Sequence, residues 1–223
     1  HGDYMGDHWM GEKDLFHEPS VKVPMIIFDP SPEADATRGT VCNALVESID
    51  LAATFIETAG GEVPAHIVEG RSLMPWIRGE TPDDWREFAI SEYDYSGTGA
   101  AVKLGMAPKD CRLFMVVTQR WKFMHAEGGF RPMLFDLQND PDELEDLGES
   151  DSHTAIIAQM YDHLFTWARH MSQRTTISDA TITEKRGASR RRGIVLGAYD
   201  AAGIPDEILS KYVGPAPKIP DVT

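Results

Sequence analysis

Arg120-Trp121-Lys122-Phe123-Met124-His125, then Glu127-Gly128-Gly129, then Met133-Leu134-Phe135-Asp136-Leu137-Gln138-Asn139-Asp140-Pro141 is the stretch from which the fold is read. The first segment alternates polar and apolar side chains, as a half-buried antiparallel strand does. The glycine pair marks a turn, and 133–137 reads as a second short strand. Upstream, 87–93 and 112–118 read as two more strands, so the region reads as a small antiparallel sheet. Downstream, 153–171 reads as a helix with Ile156, Met160, Leu164, Trp167 and Met171 on one face, capped by Asp151 or Ser152.

Towards the N-terminus the pattern changes. Val21 to Phe28 becomes continuously apolar after Pro24, as in a strand of a sheet covered on both faces, starting at Met25. Residues 45–59 read as a helix whose apolar face is Leu45, Ile49, Ala52, Ile56 and Ala59, stopped by Gly60-Gly61. Residues 62–84 read as loop with a helical turn near Pro75-Trp76-Ile77-Arg78. A strand, turn and buried helix in this order predict the end of an α/β sheet domain. The expected organisation is residues 1–85 as that end, 86–171 as a small antiparallel subdomain with a packing helix, and 172–223 as an extended arm. The arm has little periodicity beyond a candidate helix from Pro205 to Tyr212.

Composition bounds the function. A formal charge of −15 over 223 residues argues against nucleic-acid binding. The one basic run, Lys185-Arg186 to Arg190-Arg191-Arg192, reads as a solvated or subunit-contacting arm. No apolar run is long enough to span a membrane. Cys42 and Cys111 form no C-x-x-C pair, which fits a reducing cytoplasm.

The chemistry-bearing residues gather near the start: His1-Gly2-Asp3, Met5-Gly6-Asp7-His8, Gly11-Glu12-Lys13 and His17-Glu18. A neutral imidazole is a common metal ligand, and a neighbouring glycine lets the backbone turn tightly beside it. Lys13 offers a compact charge suited to a tetrahedral oxyanion. Taken alone, a His and a Lys in a polar loop read as surface residues. His8 and His17 read as packing or surface groups, with a supporting role at a site as the alternative. Glu92 and Asp94 read as one solvated strand face, and His125 as structural. Trp76 and Trp167 read as core anchors. Trp9 and Met10 are candidates for flanking a substrate entrance.

The order of these segments resembles the sulfatase family of the alkaline phosphatase-like superfamily. The shared features are the His-Gly segment, the following Gly and Lys, a His-Glu pair, and the return through Val23-Pro24-Met25-Ile26-Ile27. Ser48-Ile49-Asp50-Leu51-Ala52-Ala53-Thr54 resembles the family's Asp-Leu-x-Pro-Thr helix, with Ala53 in place of Pro. Glu69-Gly70-Arg71-Ser72-Leu73 resembles its Gly-x-Ser-Leu turn, and Leu134 to Pro141 its Leu-Phe-Asp-Leu-x-x-Asp-Pro signature. The resemblance covers about residues 1–170 and is strongest towards bacterial phosphonate monoester hydrolases and arylsulfatases.

The resemblance implies that His1 is a ligand of a divalent metal, calcium or manganese, and that Lys13 contacts the oxygens of the transferred group. It implies a small-molecule sulfate or phosphonate ester as substrate, and a homo-oligomer built through the C-terminal arm. The family's nucleophile is a formylglycine made in a Cys-x-Pro-x-Arg or Ser-x-Pro-x-Arg motif, which neither Cys42 nor Cys111 matches. The expectation is therefore a C-terminal part that begins at a metal ligand and is inactive alone, its nucleophile lying upstream. Two rival readings are a non-catalytic assembly module and a phosphodiesterase of the same superfamily. The Leu-Phe-Asp-Leu-x-x-Asp-Pro signature speaks against the phosphodiesterase.

Overall fold

The structure is a computed structural model. It describes residues 2–13 and 15–169, together with Ser178, Ala180, Thr181 and Glu184. The chain divides into two compact units, His1–Arg174 and Thr175–Thr223. The candidate helix from Pro205 to Tyr212 lies outside the described residues, as does Met171.

The first unit contains the short helices α1 (Glu18–Val21), α2 (Asp50–Thr58), α3 (Met74–Ile77) and α4 (Gly99–Leu104), and the longer α5 (Thr154–Ala168). Its strands are β1 (Ala89–Asp94), β2 (Arg112–Val117), β3 (Trp121–Ala126) and β4 (Met133–Asp136). They form one antiparallel sheet in the order β1-β2-β3-β4, with Ile90 opposite Val116, Val116 opposite Phe123, and Phe123 opposite Leu134. The fold class is thus the expected one of helices with a small antiparallel sheet and a packing helix. The β1–β2 connection carries α4, which the sequence reading missed. Its N-cap is Thr98, whose side chain accepts from the Ala101 amide.

The sheet is covered on both faces, and this corrects the reading of β3 as half-buried. On one face Phe114, Val116, Phe123 and Leu134 pack against Met160 and Leu164 of α5. On the other, Met115, Met124 and Phe135 pack against Phe16, with Val21 beside them. Lys122 points to that second face and is 0% exposed. Alternation along β3 therefore separates two buried faces rather than a dry one from a wet one.

Helix α5 buries Met160 and Leu164, with Ile156 and Trp167 half-buried, as the 3.6-residue period predicts. Its expected caps are corrected. Asp151 and Ser152 lie in a preceding 3-10 turn (Asp151–His153), and His153 holds the N-cap position without a side-chain cap.

Two further expectations do not hold. The apolar run from Val23 to Phe28 joins no ladder among the described residues. It is exposed throughout, Ile26 to 94% and Phe28 to 73%. A continuously apolar strand needs partners along its edges and cover on both faces, and the four strands of the sheet give it neither.

Helix α2 buries Asp50, Ala53 and Thr54 instead of the predicted apolar stripe, leaving Ile49, Ala52 and Ala59 exposed. The cause is Asp50, which is fully buried. Its carboxylate accepts from the Glu47 and Arg71 amides, each at 2.8 Å, and pairs with both terminal nitrogens of Arg86. Gly70 makes this possible, because a Cβ there would lie 2.1 Å from the Ile49 carbonyl oxygen. Satisfying a buried charge outweighs burying an alanine or two.

Removing the Asp50 carboxylate leaves the Arg86 guanidinium with Glu47, 3.3 Å from Nε, as its one charged partner, and with a long hydrogen bond to the Leu45 carbonyl at 3.4 Å. Asp50→Ala is expected to destabilise the fold by about 3 kcal/mol, the lower end for breaking a buried pair. Urea unfolding measures it, and a change under about 1 kcal/mol contradicts this account.

Candidate functional site

Residues 2–13 form a closed loop held by its own backbone. The Tyr4 amide donates to the Glu12 carbonyl at 2.8 Å and the Gly6 amide to the Met10 carbonyl at 2.9 Å. At its tip is a 3-10 turn, Asp7–Trp9. Four residues of this loop that carry side chains have left-handed backbone: Met5 (φ 48°), His8 (φ 51°), Trp9 (φ 57°) and Glu12 (φ 62°). Each such residue is costly, and clusters of them persist where surrounding contacts over-determine the chain, as at ligand-binding loops.

The contacts that hold the loop come from residues 17–20. The Asp3 amide donates to the Pro19 carbonyl at 3.1 Å. Gly2 lies so close to Ser20 that a Cβ would sit 1.9 Å from the Ser20 carbonyl oxygen, so only glycine fits after His1. Tyr4 is buried, and its hydroxyl oxygen lies 2.8 Å from Nδ1 of His17 while accepting from the His17 amide at 3.3 Å. The phenol oxygen has two lone pairs and one proton, so the direction of the Nδ1 contact follows the His17 tautomer.

Burial, the neighbouring His8 and the charge of Lys122 hold the His17 imidazole down to about 4. His8 stacks on His17 at 4.1 Å between ring centroids, and Phe135 meets it in an edge-on arrangement with centroids 5.5 Å apart. His17 is therefore a packing residue beneath the loop, the reading preferred from sequence.

The polar centre under the loop is Lys122. Its Nζ lies 2.6 Å from Glu18 and 2.9 Å from Glu143. The Glu18 amide also donates to Glu143 at 2.5 Å. Burial pulls the Glu18 carboxyl up, but the hydrogen bonds and charges of Lys122 and Lys22 outweigh it, and the net shift is downward. Burial dominates at Glu143, where Lys122 and the Glu18 amide offset it only in part, and the net shift is upward. One ammonium thus serves two carboxylates and favours Glu18. Sequence reading missed Lys122 and Glu143. A lysine between Trp121 and Phe123 has the pattern of a solvent-facing position, and nothing local says the face is covered.

His1 lies outside the described residues. Lys13 is exposed, directly after the loop-closing Glu12. Trp9 is 96% exposed at the loop tip, and Met10 is half-buried. Glu92 and Asp94 form the solvated strand face expected, with Glu92 paired to Arg112. His125 packs against Phe114 and lies 3.2 Å from the Tyr161 hydroxyl, a structural role. Trp76 and Trp167 are only half-buried. Cys111 is buried and burial pushes its thiol up, while Cys42 is exposed. Among the described residues no three His, Cys, Asp or Glu side chains gather as a metal site. None of their helices is long and apolar enough to cross a membrane.

The signature Leu134 to Pro141 has a structural explanation. Leu134 and Phe135 enter opposite cores, and Asp136 organises the turn. Its carboxylate accepts from Arg120 Nε at 3.0 Å and from Arg120 Nη2 at 2.6 Å. It also accepts from the Asn139 side-chain amide at 2.8 Å. The Arg120 hydrogen bonds hold the Asp136 carboxyl down to about 2 against the effect of burial.

With the geometry in place, comparison with known proteins gives a consistent result. The family described as "N-sulphoglucosamine sulphohydrolase, C-terminal" matches residues 6–170, and the chain belongs to it. A multifunctional alkaline phosphatase superfamily protein of Trinickia caryophylli is 29% identical, covering 84% of this chain and 35% of that protein. An arylsulfatase of Clostridium perfringens is 30% identical, covering 69% and 29%. The crystal structure of the phosphonate monoester hydrolase of Agrobacterium radiobacter superposes with a TM-score of 0.67 at 27% identity, covering 76% of this chain and 33% of that one. The chain thus spans about a third of the length of these relatives.

The buried His17 makes stability depend on pH. Its folded-state value of about 4 lies below the ordinary 6.5, so its contribution is complete above pH 6.5 and is lost as pH falls through 4. Between pH 7.5 and pH 4.5 the protein is expected to lose about 2 to 3 kcal/mol through this group. His17→Phe should lack that part of the pH dependence. Urea unfolding at the two pH values measures the difference, and equal slopes for the two proteins contradict the assignment.

Proposed function

We propose that these residues serve as the C-terminal part of a hydrolase of sulfate or phosphonate monoesters. The observation that carries this reading is the family match, which spans both the loop with Lys13 and the small sheet. The relatives named an arylsulfatase and a phosphonate monoester hydrolase supply the two candidate ester classes. In this reading Lys13 contacts the oxygens of the transferred group and stabilises the negative charge that builds up there. Its exposure just beyond the closed loop leaves the ammonium within reach of a bound anion.

His1 is assigned as one ligand of a divalent cation, with calcium and manganese the two candidates. The described residues do not gather a metal site among themselves. What supports the assignment is the family resemblance of the His1-Gly2 segment, together with the close approach of Gly2 to Ser20 that only glycine allows. The nucleophile is assigned to residues outside these 223. The arm from residue 172 is assigned to self-association.

The test uses the natural full-length protein with an aryl sulfate and a phosphonate monoester as substrates. Hydrolysis is expected with calcium or manganese and is expected to be lost on chelation. Lys13→Ala is expected to lower kcat per folded molecule about 100-fold. An unchanged kcat removes Lys13 from the site. Absence of hydrolysis of both esters in the wild type overturns the reading as a whole.

A further inference from the structure

Lys122 is an unusual choice for its position. It is 0% exposed in the middle of β3, on the face it shares with Met115, Met124 and Phe135. A methionine there would pack against these side chains without the cost of desolvating an ammonium. Replacing buried ion pairs by apolar residues of similar volume is often neutral or stabilising. Stability alone therefore does not account for the lysine, and its partners point to another use.

Residues 17–20 divide their contacts in a regular way. His17 holds Tyr4 through the phenol hydroxyl, Pro19 receives the Asp3 amide, and Ser20 abuts Gly2. Those three grip the loop of residues 2–13. Glu18, placed among them, faces the other way and makes the polar tie to the sheet through Lys122. Its position is fixed twice over, because its amide also donates to Glu143, the second partner of Lys122. Glu143 itself is held at φ 54° in the turn that follows β4. The ammonium thus joins β3, the start of α1 and the post-β4 turn at one point.

We propose that Lys122 is a positioning residue. Acting through Glu18, it sets the placement of the loop 2–13 and of Lys13 at its end. The inference rests on the hydrolase reading for its catalytic consequence, though not for its structural one. A misplacement of about 1 Å at a reacting group costs about 100-fold in rate, so a rigid tie to a sheet is worth more here than its contribution to folding. The ammonium ties Glu18 to the sheet, where a methionine would leave its carboxylate paired only with the exposed Lys22 of its own segment.

The experiment compares Lys122→Met and the milder Glu18→Gln with wild type in the full-length protein. Two readouts are needed: kcat and KM per folded molecule, and backbone hydrogen exchange. Lys122→Met is expected to lower kcat at least tenfold with KM within about twofold, and Glu18→Gln to lower it in the same direction by less. Exchange of the Tyr4 and Gly6 amides is expected to quicken at least tenfold in both variants, while the amides of β1 and β2 keep their protection. An unchanged kcat per folded molecule, or exchange that quickens uniformly across loop and sheet, overturns the proposal and leaves Lys122 a stability residue. If Lys122→Met does not fold, Glu18→Gln decides on the same criteria. If the wild type hydrolyses neither ester, the hydrolase reading fails by itself, and the exchange pattern still decides the positioning role.

Discussion

A lysine ammonium taken out of water must be met by charge and hydrogen bonds, or it will not stay there. Lys122 meets that demand with Glu18 at 2.6 Å and Glu143 at 2.9 Å, residues 104 and 21 positions away in sequence. Much of the first unit is arranged around this requirement. The N-terminal segment must cross the sheet to deliver Glu18, and the turn after β4 must adopt a left-handed residue to deliver Glu143. Glu18 also pairs with the exposed Lys22 at 3.0 Å. The Glu18 carboxyl shifts downward, and burial shifts that of Glu143 upward.

Once the N-terminal segment lies across the sheet, the remaining packing follows. Phe16 joins Met115, Met124 and Phe135 on that face, while α5 supplies Met160 and Leu164 to the other. A four-stranded sheet covered on both sides is rigid enough to serve as a platform. The loop of residues 2–13, with its four left-handed non-glycine residues, is the element that needs one. His17 closes the gap between platform and loop as a neutral imidazole under Tyr4 and His8. A second buried charge, Asp50, works in the same way elsewhere. It turns α2 so that its polar N-terminus, rather than its apolar stripe, faces inward to Arg86.

Much was legible in the sequence alone. All four strands, the α5 face and the helical turn near Trp76 follow from hydrophobic period and turn residues, since those signals are local. The Leu-Phe-Asp-Leu-x-x-Asp-Pro signature also pointed correctly to the family, because its residues act over a short span. Two of them enter opposite cores, and Asp136 ties the turn to Arg120. Gly2 could be singled out as a tight-approach residue, although its partner Ser20 could not be named.

Tertiary structure decided which charges are buried. Lys122 and Asp50 have the local pattern of surface positions, yet both are 0% exposed. Period and composition report only what a residue prefers on average. Whether a face is covered depends on segments more than a hundred residues away, and a charge becomes tolerable inside only when its partner arrives with them. The sequence by itself therefore determined the elements and the family. The pairing of Glu18 with Lys122, and with it the seating of the candidate loop, belonged to the tertiary structure, because the free energy of a buried ion exists only once its partner is in place.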